Sequence, residues 1–402
     1  MIYLDATSAA ASPVNMGVHR TVRGLHAHLA ARYPVTPLRW DFDGRCYARL
    51  SPREEANLLS PFASARAAEG PFFRRHGRRW LAAWRDARTR PQRRLAPAEM
   101  LQAGDTLLIP DLCWDFRIRA WAGFAALPGR KIAIFHDAMP LRIRGQADSH
   151  EKLFTEYVAA LAQLDFVICI SREVLDDLHR YWEELSCAPK PTGVLPWPVP
   201  FDEARPATAP NFGARRLVYV SRLKLRKNHL VLLEACDALW RRGETFALEL
   251  IGIADAWSDT RAILRRVRAL AREGRPVRWR HHLSDAELAA AYRECSFTVF
   301  PSRLEGFGLP IIESLWHGRP VICGSNGAIG EVAAGGGCLP VDQNDAGALA
   351  TAIAALLGDE ALYRRLHDET RARTFRSWDE YGRDLDRVLG LAPQDFPCST
   401  ST

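Results

Sequence analysis

Two glutamates beside a glycine turn give residues 300–321 the clearest chemical content in this sequence. Glu305 and Glu313 stand on either side of the turn. The turn consists of Gly306, Phe307 and Gly308. An ionised carboxylate accepts two hydrogen bonds from a diol, so both glutamates suit sugar or ribose hydroxyls. Glycines let a ligand approach the backbone, and the N–H groups at a helix start attract phosphate. The spacing alone also fits a pair of surface glutamates beside an ordinary loop.

Apolar runs, prolines and glycines around the two glutamates predict the strands and the helix that position them. Residues 297–300 are apolar and favour a strand, and Pro310 suits the first position of a helix. Gly318 and Pro320 indicate where that helix ends, before the apolar run Val321–Cys323. The predicted order is therefore strand, glycine loop, helix and strand.

The same alternation extends over the chain of 402 residues, which is long enough for two domains. Strands that alternate with helices indicate βαβ units and parallel sheets. The predicted strands are 2–4, 35–40, 106–109, 131–135, 166–170, 217–221, 246–253, 277–281 and 297–300. The predicted helices are 17–32, 148–164, 172–183, 228–242, 258–273 and one from 284, with Asn228 as a plausible N-cap of its helix.

Proline-rich composition at residues 189–210 indicates a linker between the domains. We assign residues 1–195 to a first Rossmann-like domain on the acceptor side, with an irregular arginine-rich insert at 41–104. The linker is placed at 196–212 and a nucleotide-sugar domain at 213–375. Residues 376–402 are assigned to a crossover helix and tail.

Phe-Pro-Ser precedes the two glutamates and His-Gly-Arg-Pro-Val follows them, so the segment resembles the Glu-x7-Glu signature of glycosyltransferase family 4. These group 1 glycosyltransferases are retaining enzymes that use nucleoside diphosphate sugars and have the GT-B fold. The resemblance implies an α/β fold of two facing Rossmann-like domains with a cleft between them. It also implies a C-terminal helix that crosses back onto the N-terminal domain.

By the same resemblance, Glu305 contacts the donor sugar and Glu313 holds the ribose hydroxyls. Arg222 and Lys227 match the cations of the family's Gly-Arg-Leu-x-x-x-Lys-Gly loop and are expected to bind the diphosphate. Two cations near a helix N-terminus can stabilise charge that develops on the leaving phosphate without a metal. Ser221 and Asn228 replace the two glycines of that loop, and their side chains are expected to narrow it.

His136 resembles the family's His-Asp-x-x-Pro segment and is expected to face the donor sugar, although a histidine at a strand end is often structural. Gly17 resembles the glycine of the family's first βα loop. Ser171 either belongs to another family segment or caps the next helix.

The implied reaction moves a hexose or deoxyhexose of the mannose, rhamnose or fucose type to a glycan or lipid-linked glycan. No cofactor or metal is expected, and bacterial surface polysaccharide such as lipopolysaccharide is the implied setting.

Several alternatives remain open. Asp41 and Asp43 form a D-x-D that could bind a metal, but no supporting pattern surrounds it. Glycines at 324–330 lack the dinucleotide-binding spacing. A GT-B epimerase or phosphorylase is the rival enzyme, and a basic nucleic-acid-binding protein is the rival without catalysis. We expect no nucleic-acid partner, because basic and aromatic residues do not interleave on a recognised module.

Charge and composition bear on partners and location. The net charge of +7 favours anionic partners, and the nine cysteines lack metal-ligand spacing, so we expect buried, reduced thiols. No signal peptide is evident, which predicts a cytoplasmic protein.

Residues 74–94 carry nine arginines against one acid, Asp86, with Trp80 and Trp84 four apart. They predict peripheral docking on the inner membrane, with an ordinary solvated face as the alternative.

Overall fold

The computed structural model describes residues 1–12, 17–59, 94–143, 148–199, 204–254, 258–281 and 283–391. The chain divides into two compact units, each described by itself below. The first comprises Met1–Pro200 together with Trp378–Thr402, and the second is Phe201–Ser377. The division after Pro200 falls inside the segment 196–212 that the sequence assigns to a linker.

The first unit is built on an eight-stranded sheet with the order β4-β3-β2-β1-β5-β6-β7-β8. Neighbouring strands are parallel except where β3 pairs with β2 and with β4. The strands are β1 Ile2–Asp5, β2 Val35–Asp41, β3 Cys46–Arg49, β4 Arg94–Leu95, β5 Thr106–Ile109, β6 Arg130–Phe135, β7 Phe166–Cys169 and β8 Thr192–Val194. The described helices are Thr7–Ala11, Gly17–Ala30, Pro52–Leu59, Pro97–Met100, Trp121–Ala125, Met139–Arg142, Asp148–Leu161, Arg172–Glu184 and Trp378–Val388.

The ends of the predicted irregular insert at 41–104 are regular, which corrects that expectation. β3 follows β2 through a tight turn in which Arg45 has a φ of 50°, and β4 then pairs with β3. Strand β8 likewise lies in the proline-rich region. These strands are only two to four residues long, so their pairing depends on distant partners more than on their own propensity. Residues 60–93 lie outside the described part of the chain.

The second unit contains a six-stranded parallel sheet with the order β11-β10-β9-β12-β13-β14. Its strands are β9 Arg216–Val220, β10 Ala247–Ile251, β11 Val277–Arg280, β12 Phe297–Phe300, β13 Val321–Cys323 and β14 Cys338–Pro340. The described helices are His229–Arg241, Ser258–Arg272, Asp285–Glu294, Leu309–Trp316, Gly327–Ala333, Ala346–Gly358 and Glu360–Ala372. The predicted α/β alternation is confirmed.

Each sheet has a point where the strand order reverses. In the second unit it lies between β9 and β12, where Leu217 is beside Phe297. In the first unit it lies between β1 and β5, where Ile2 is beside Thr106. Ligands of open α/β sheets bind outside the carboxyl ends of the strands at such a point. In the second unit, the loops that leave β9 and β12 carry Lys227 and Glu305.

The last described helix, Trp378–Val388, packs on the first unit. Arg32 donates a hydrogen bond of 2.8 Å to Asp379, and the ring of Trp378 lies against Gly24, where an added Cβ would be 2.3 Å from the ring. This helix therefore returns to the amino-terminal unit, as predicted.

The cysteines mostly lie in the interior. Those described are unpaired, but Cys46 and Cys187 are only half-buried, which corrects the expectation that all are buried. Cys398 lies outside the described residues.

Candidate nucleotide-sugar site

The glycine turn between β12 and its following helix has the predicted form. Gly308 immediately precedes the helix Leu309–Trp316 and has a φ of 105°, a conformation that favours glycine. Pro310 occupies the second helical position rather than the predicted first. Its missing N–H costs no intrahelical hydrogen bond there, because the first four N–H groups of a helix have no partner within it. The turn thus presents a helix start at the carboxyl end of β12.

Two side chains fix the loop after β9: Tyr219 in the strand itself and Asn228 at the end of the loop. The hydroxyl of Tyr219 donates to the backbone oxygen of Lys227. Asn228 sits at the N-cap position with a φ of 60°, but its side chain does not cap the helix. Its amide instead donates to the backbone oxygen of Gln343. The predicted N-cap position is therefore confirmed, but the side chain makes no capping hydrogen bond; asparagine tolerates the left-handed conformation that the backbone adopts here.

Ser221, the other departure from the family loop, also points inward. Its hydroxyl oxygen lies 3.1 Å from Nε2 of His229, and both side chains are buried. Burial, the largest cause, lowers the pKa of His229 to about 3, so the ring is neutral at physiological pH. Ser221 and Asn228 are therefore interior side chains, and neither projects from the loop.

Glu305 joins the two loops through a pair of cations. Nζ of Lys227 forms an ion pair with its Oε1, and Nη1 of Arg226 lies 3.3 Å from its Oε2. Nη1 of Arg226 also donates to the backbone oxygen of Leu304 at 2.8 Å. In return, the backbone N–H of Arg303 donates to the backbone oxygen of Arg226 at 2.9 Å. The structure therefore brings two of the predicted site residues, Lys227 and Glu305, into direct contact.

This cluster keeps Glu305 ionised although its side chain is only 8% exposed. Burial acts to raise the pKa of Glu305, but the charges of Lys227 and then Arg226 lower it further than burial raises it. The net result is a pKa below the ordinary value. One carboxylate is thus surrounded by two cations, which leaves the cluster with one net positive charge.

Arg226 is a site residue that the sequence interpretation missed. The family pattern drew attention to Arg222 and Lys227, and Arg226 lies between them in a run of basic residues. Its role depends on a contact with Glu305, 79 residues further along the chain. Adjacency to Lys227 in a strand-to-helix loop was the available signal.

Glu313 has a separate environment in the helix Leu309–Trp316. Its side chain is buried, and the hydroxyl of Tyr292 donates a hydrogen bond of 2.8 Å to its Oε2. Arg222 is exposed on the loop after β9. Arg222 follows β9 in the chain, and Glu313 lies in the helix that follows β12. Glu305 and Glu313 have different hydrogen-bond partners.

The two candidate residues of the first unit have their own surroundings. His136, at the end of β6, is buried with Nε2 2.7 Å from the backbone oxygen of Pro110, and its ring stacks on Trp197 at 5.9 Å. Burial is the largest cause of its lowered pKa. Gly17 begins the helix Gly17–Ala30 with a φ of 35°. Ser171 caps the helix Arg172–Glu184 by accepting from the N–H of Val174 at 3.2 Å, which confirms its capping role.

The D-x-D pair belongs to the first unit. Asp41 ends β2 and pairs with Arg94 at 2.7 Å. Burial acts to raise the pKa of Asp41, but the hydrogen bond and charge of Arg94 lower it overall. Across the described residues, no group of three or more histidine, cysteine or acidic side chains could hold a metal ion.

The length and hydropathy of the described helices bear on whether any of them could span a membrane. Within the described ranges, no single helix is long and apolar enough to cross a bilayer; Ala346–Gly358 and Glu360–Ala372 pass together by length and composition but bend by 93° at their junction. Apart from Arg94, which pairs with Asp41, the arginine-rich segment 74–94 with Trp80 and Trp84 lies outside the described residues.

Residues 200–373 match the family described as glycosyl transferases group 1. The serotype-specific mannosyltransferase WbdA of Escherichia coli is 27% identical over 239 residues, which cover 54% of this chain and 28% of that protein. Glycogen synthase of Mycobacterium tuberculosis is 31% identical over 186 residues, 45% of this chain and 42% of that protein. The chain thus spans only about a quarter of the WbdA proteins, at 25% to 28% of their length.

The fold has counterparts among solved structures. Anabaena Alr3699/HepE, crystallised with UDP and glucose, superposes over 97% of this chain and 99% of its own, with a TM-score of 0.64 and 15% identity. With its two α/β units, the chain has the GT-B fold that the sequence predicts. The carboxy-terminal unit matches the group 1 glycosyltransferases, and this match supports the predicted enzyme class.

Proposed function

We propose that this protein is a retaining glycosyltransferase of family 4. It transfers a hexose or deoxyhexose from a nucleoside diphosphate sugar to a hydroxyl of a glycan or lipid-linked glycan in polysaccharide assembly. The names of the similar proteins, a serotype-specific mannosyltransferase and a glycogen synthase, support this substrate class. A sugar of the mannose type is the first donor to test.

The observation that carries the proposal is the cation pair on Glu305 at the carboxyl ends of β9 and β12. Lys227 and Arg226 leave the cluster with excess positive charge, and a helix start follows Gly308 on the next loop. Fixed cations and a helix N-terminus stabilise a developing phosphate anion because they need no reorganisation during reaction. Lys227, with Arg222 on the same loop, would hold the diphosphate.

The remaining roles are those that the family resemblance implies. Glu305 would accept hydrogen bonds from the donor sugar, and Glu313 from the ribose hydroxyls. Gly306, Phe307 and Gly308 would let the donor approach the backbone. Contacts of His136 and Gly17 with the donor stay predictions, and the hydrogen bond of His136 to Pro110 favours a positioning role for that ring.

Metal-independent transfer is part of the proposal, because the cations already present can neutralise the leaving diphosphate. The acceptor hydroxyl would attack the anomeric carbon from the face that the diphosphate leaves. The departing phosphate would take the hydroxyl proton, so that configuration is retained.

The test is transfer itself. Purified protein is incubated with GDP-, UDP-, dTDP- and ADP-sugars and glycan acceptors, and product linkage is read by NMR. Formation of a glycoside with the donor's anomeric configuration supports the proposal. An inverted product would contradict the retaining mechanism, and epimerised donor without transfer would favour the rival epimerase.

Peripheral binding of residues 74–94 to the inner membrane of a cytoplasmic enzyme is proposed as the route to a lipid-linked acceptor. Each arginine near an anionic surface adds about 1 kcal/mol. Liposome flotation tests this: recovery should rise with anionic lipid and fall when Arg74, Arg75, Arg78 and Arg79 become serine. Equal recovery on neutral and anionic vesicles would contradict it.

A further inference from the structure

Glu313 is braced by a fully buried tyrosine. The side chain of Tyr292 lies at the end of the helix Asp285–Glu294 and is 1% exposed. Its hydroxyl donates a hydrogen bond of 2.8 Å to Oε2 of Glu313. The last torsion of a glutamate side chain is broad, so a carboxylate without such a bond can rotate. The tyrosine therefore fixes the plane of this carboxylate.

Tyr292 is itself held from two further directions. Its ring stacks on His317 with centroids 5.4 Å apart and an interplanar angle of 17°. Its backbone oxygen accepts a hydrogen bond of 3.1 Å from Nε of Arg319, a buried residue that also donates to the backbone oxygen of Ala209. A hydroxyl on so constrained a ring has little freedom to follow a moving carboxylate.

The helix that carries Glu313 is anchored in the same region. Ser314 accepts a hydrogen bond of 2.8 Å from Thr298 of β12 and donates to the backbone oxygen of Arg319 at 3.1 Å. Arg319 thus contacts both the residue after Glu313 and the residue that orients it. The backbone and the side chain of Glu313 are set by one buried network.

We propose that Tyr292 is a positioning residue that orients Glu313 for the ribose diol and so gives the site its preference for ribonucleotides. The inference rests on the proposed function, in which Glu313 meets the ribose. Hydrogen bonds to a charged group are directional, and a misplaced carboxylate loses one of the two bonds that a diol offers. Without Tyr292, binding of the base and diphosphate would continue, but recognition of the hydroxyls would weaken.

The experiment measures a ratio of affinities. Dissociation constants are determined by calorimetry for UDP, GDP and ADP, each paired with its 2′,3′-dideoxy counterpart. The base that binds best is then used throughout. Wild-type protein should prefer the ribonucleotide by about tenfold, and Tyr292→Phe should reduce this preference to about twofold, as expected for a hydrogen bond to a charged group.

Two matched variants make the ratio interpretable. Tyr363 is another fully buried tyrosine of this unit, and its hydroxyl donates to the backbone oxygen of Ser296 at 2.9 Å. Tyr363→Phe should keep the wild-type ratio. Glu313→Gln should lose most of the preference, and adding Tyr292→Phe should change the ratio little further, because both act through one carboxylate.

The outcomes separate the inference from the proposed function. Absence of nucleotide binding by wild type would overturn both, and equal wild-type binding of ribo- and dideoxynucleotides would remove the ribose role of Glu313. A wild-type preference that persists in Tyr292→Phe would overturn only the positioning role. If that variant does not fold, His317→Leu removes the stacked ring instead, and an unchanged ratio there would equally contradict the inference.

Discussion

The two sheets carry charge clusters of opposite balance at equivalent places. In the first unit, Arg117 donates to both oxygens of Asp5 at 3.0 Å, and to Asp115 at 2.7 Å, with Asp111 at 3.9 Å. In the second, Glu305 has two cations. Both clusters lie where the strand order reverses, β1 beside β5 and β9 beside β12.

The difference lies in what the charges hold. Asp5 and Asp111 are fully buried and bind backbone groups at the start of the helix Thr7–Ala11, since Thr7 donates its N–H to Asp5 and Ser8 donates its N–H to Asp111. Their carboxylates therefore bind groups of the protein itself and stabilise its fold. The cluster of Lys227, Arg226 and Glu305 instead has one net positive charge, on the loops after β9 and β12. Similar topology thus supports a structural cluster in one unit and a candidate ligand site in the other.

The largest expected effect is on stability, from Arg117→Met. Removing the cation leaves Asp5 buried beside other carboxylates, and breaking a buried pair commonly costs about 3–5 kcal/mol. Urea unfolding measures the loss. The control is Arg119→Met, because the Arg119 side chain is 63% exposed and its removal should change stability by about 0.5 kcal/mol or less. Equal stability of the two variants would show that the first cluster does not hold the fold.

Lys227→Ala should show the reverse pattern. Turnover should fall by about a hundredfold or more, because one preorganised donor to a developing anion contributes roughly 3 kcal/mol. The melting temperature should change little, since Arg226 still pairs with Glu305. Lys224→Ala, in the same loop, is the control and should stay within about threefold of wild type. Near-normal transfer by Lys227→Ala would place the phosphate elsewhere.

Glu305→Gln sharpens the role of the carboxylate. Removing its charge leaves Lys227 with no competing anion, so affinity for a nucleoside diphosphate should rise by about threefold to tenfold. Transfer should nevertheless fall, because the donor sugar loses a charged hydrogen-bond acceptor and keeps only the weaker amide oxygen. Calorimetry and turnover are compared, with the more exposed Glu294→Gln as control. A weaker diphosphate complex would mean that Glu305 supports phosphate binding rather than opposing it.

Chelation should have the smallest effect. Transfer in excess EDTA should equal that without it, because the fixed cations replace the metal that a D-x-D site needs. Activity that is lost on chelation and restored by manganese or magnesium would contradict this mechanism and promote Asp41 and Asp43 to ligands.

Local patterns predicted much of the framework. The apolar runs of β9, β12 and β13 and the glycine turn at Gly308 fixed the order of elements around Glu305. Short strands such as β3 and β4 were missed, because only their distant partners make them strands.

Within the site, the sequence indicated the residue types but not all their partners. Arg226 and Tyr292 reach the two glutamates across 79 and 21 residues. Tyr292 lies in a helix whose pattern indicates only core packing. Arg117 was missed for the same reason, since its carboxylates are spread from Asp5 to Asp115.

Nucleoside diphosphate binding tests the central claim most directly. Thermal unfolding of wild type and Lys227→Ala is followed with increasing UDP, GDP, dTDP and ADP. A ligand at a hundred times its Kd stabilises the native state by about 2.7 kcal/mol. At least one diphosphate should therefore raise the wild-type melting temperature, and the shift should largely vanish in Lys227→Ala. No shift with any of the four, or the same shift in both proteins, would contradict a diphosphate site at Lys227.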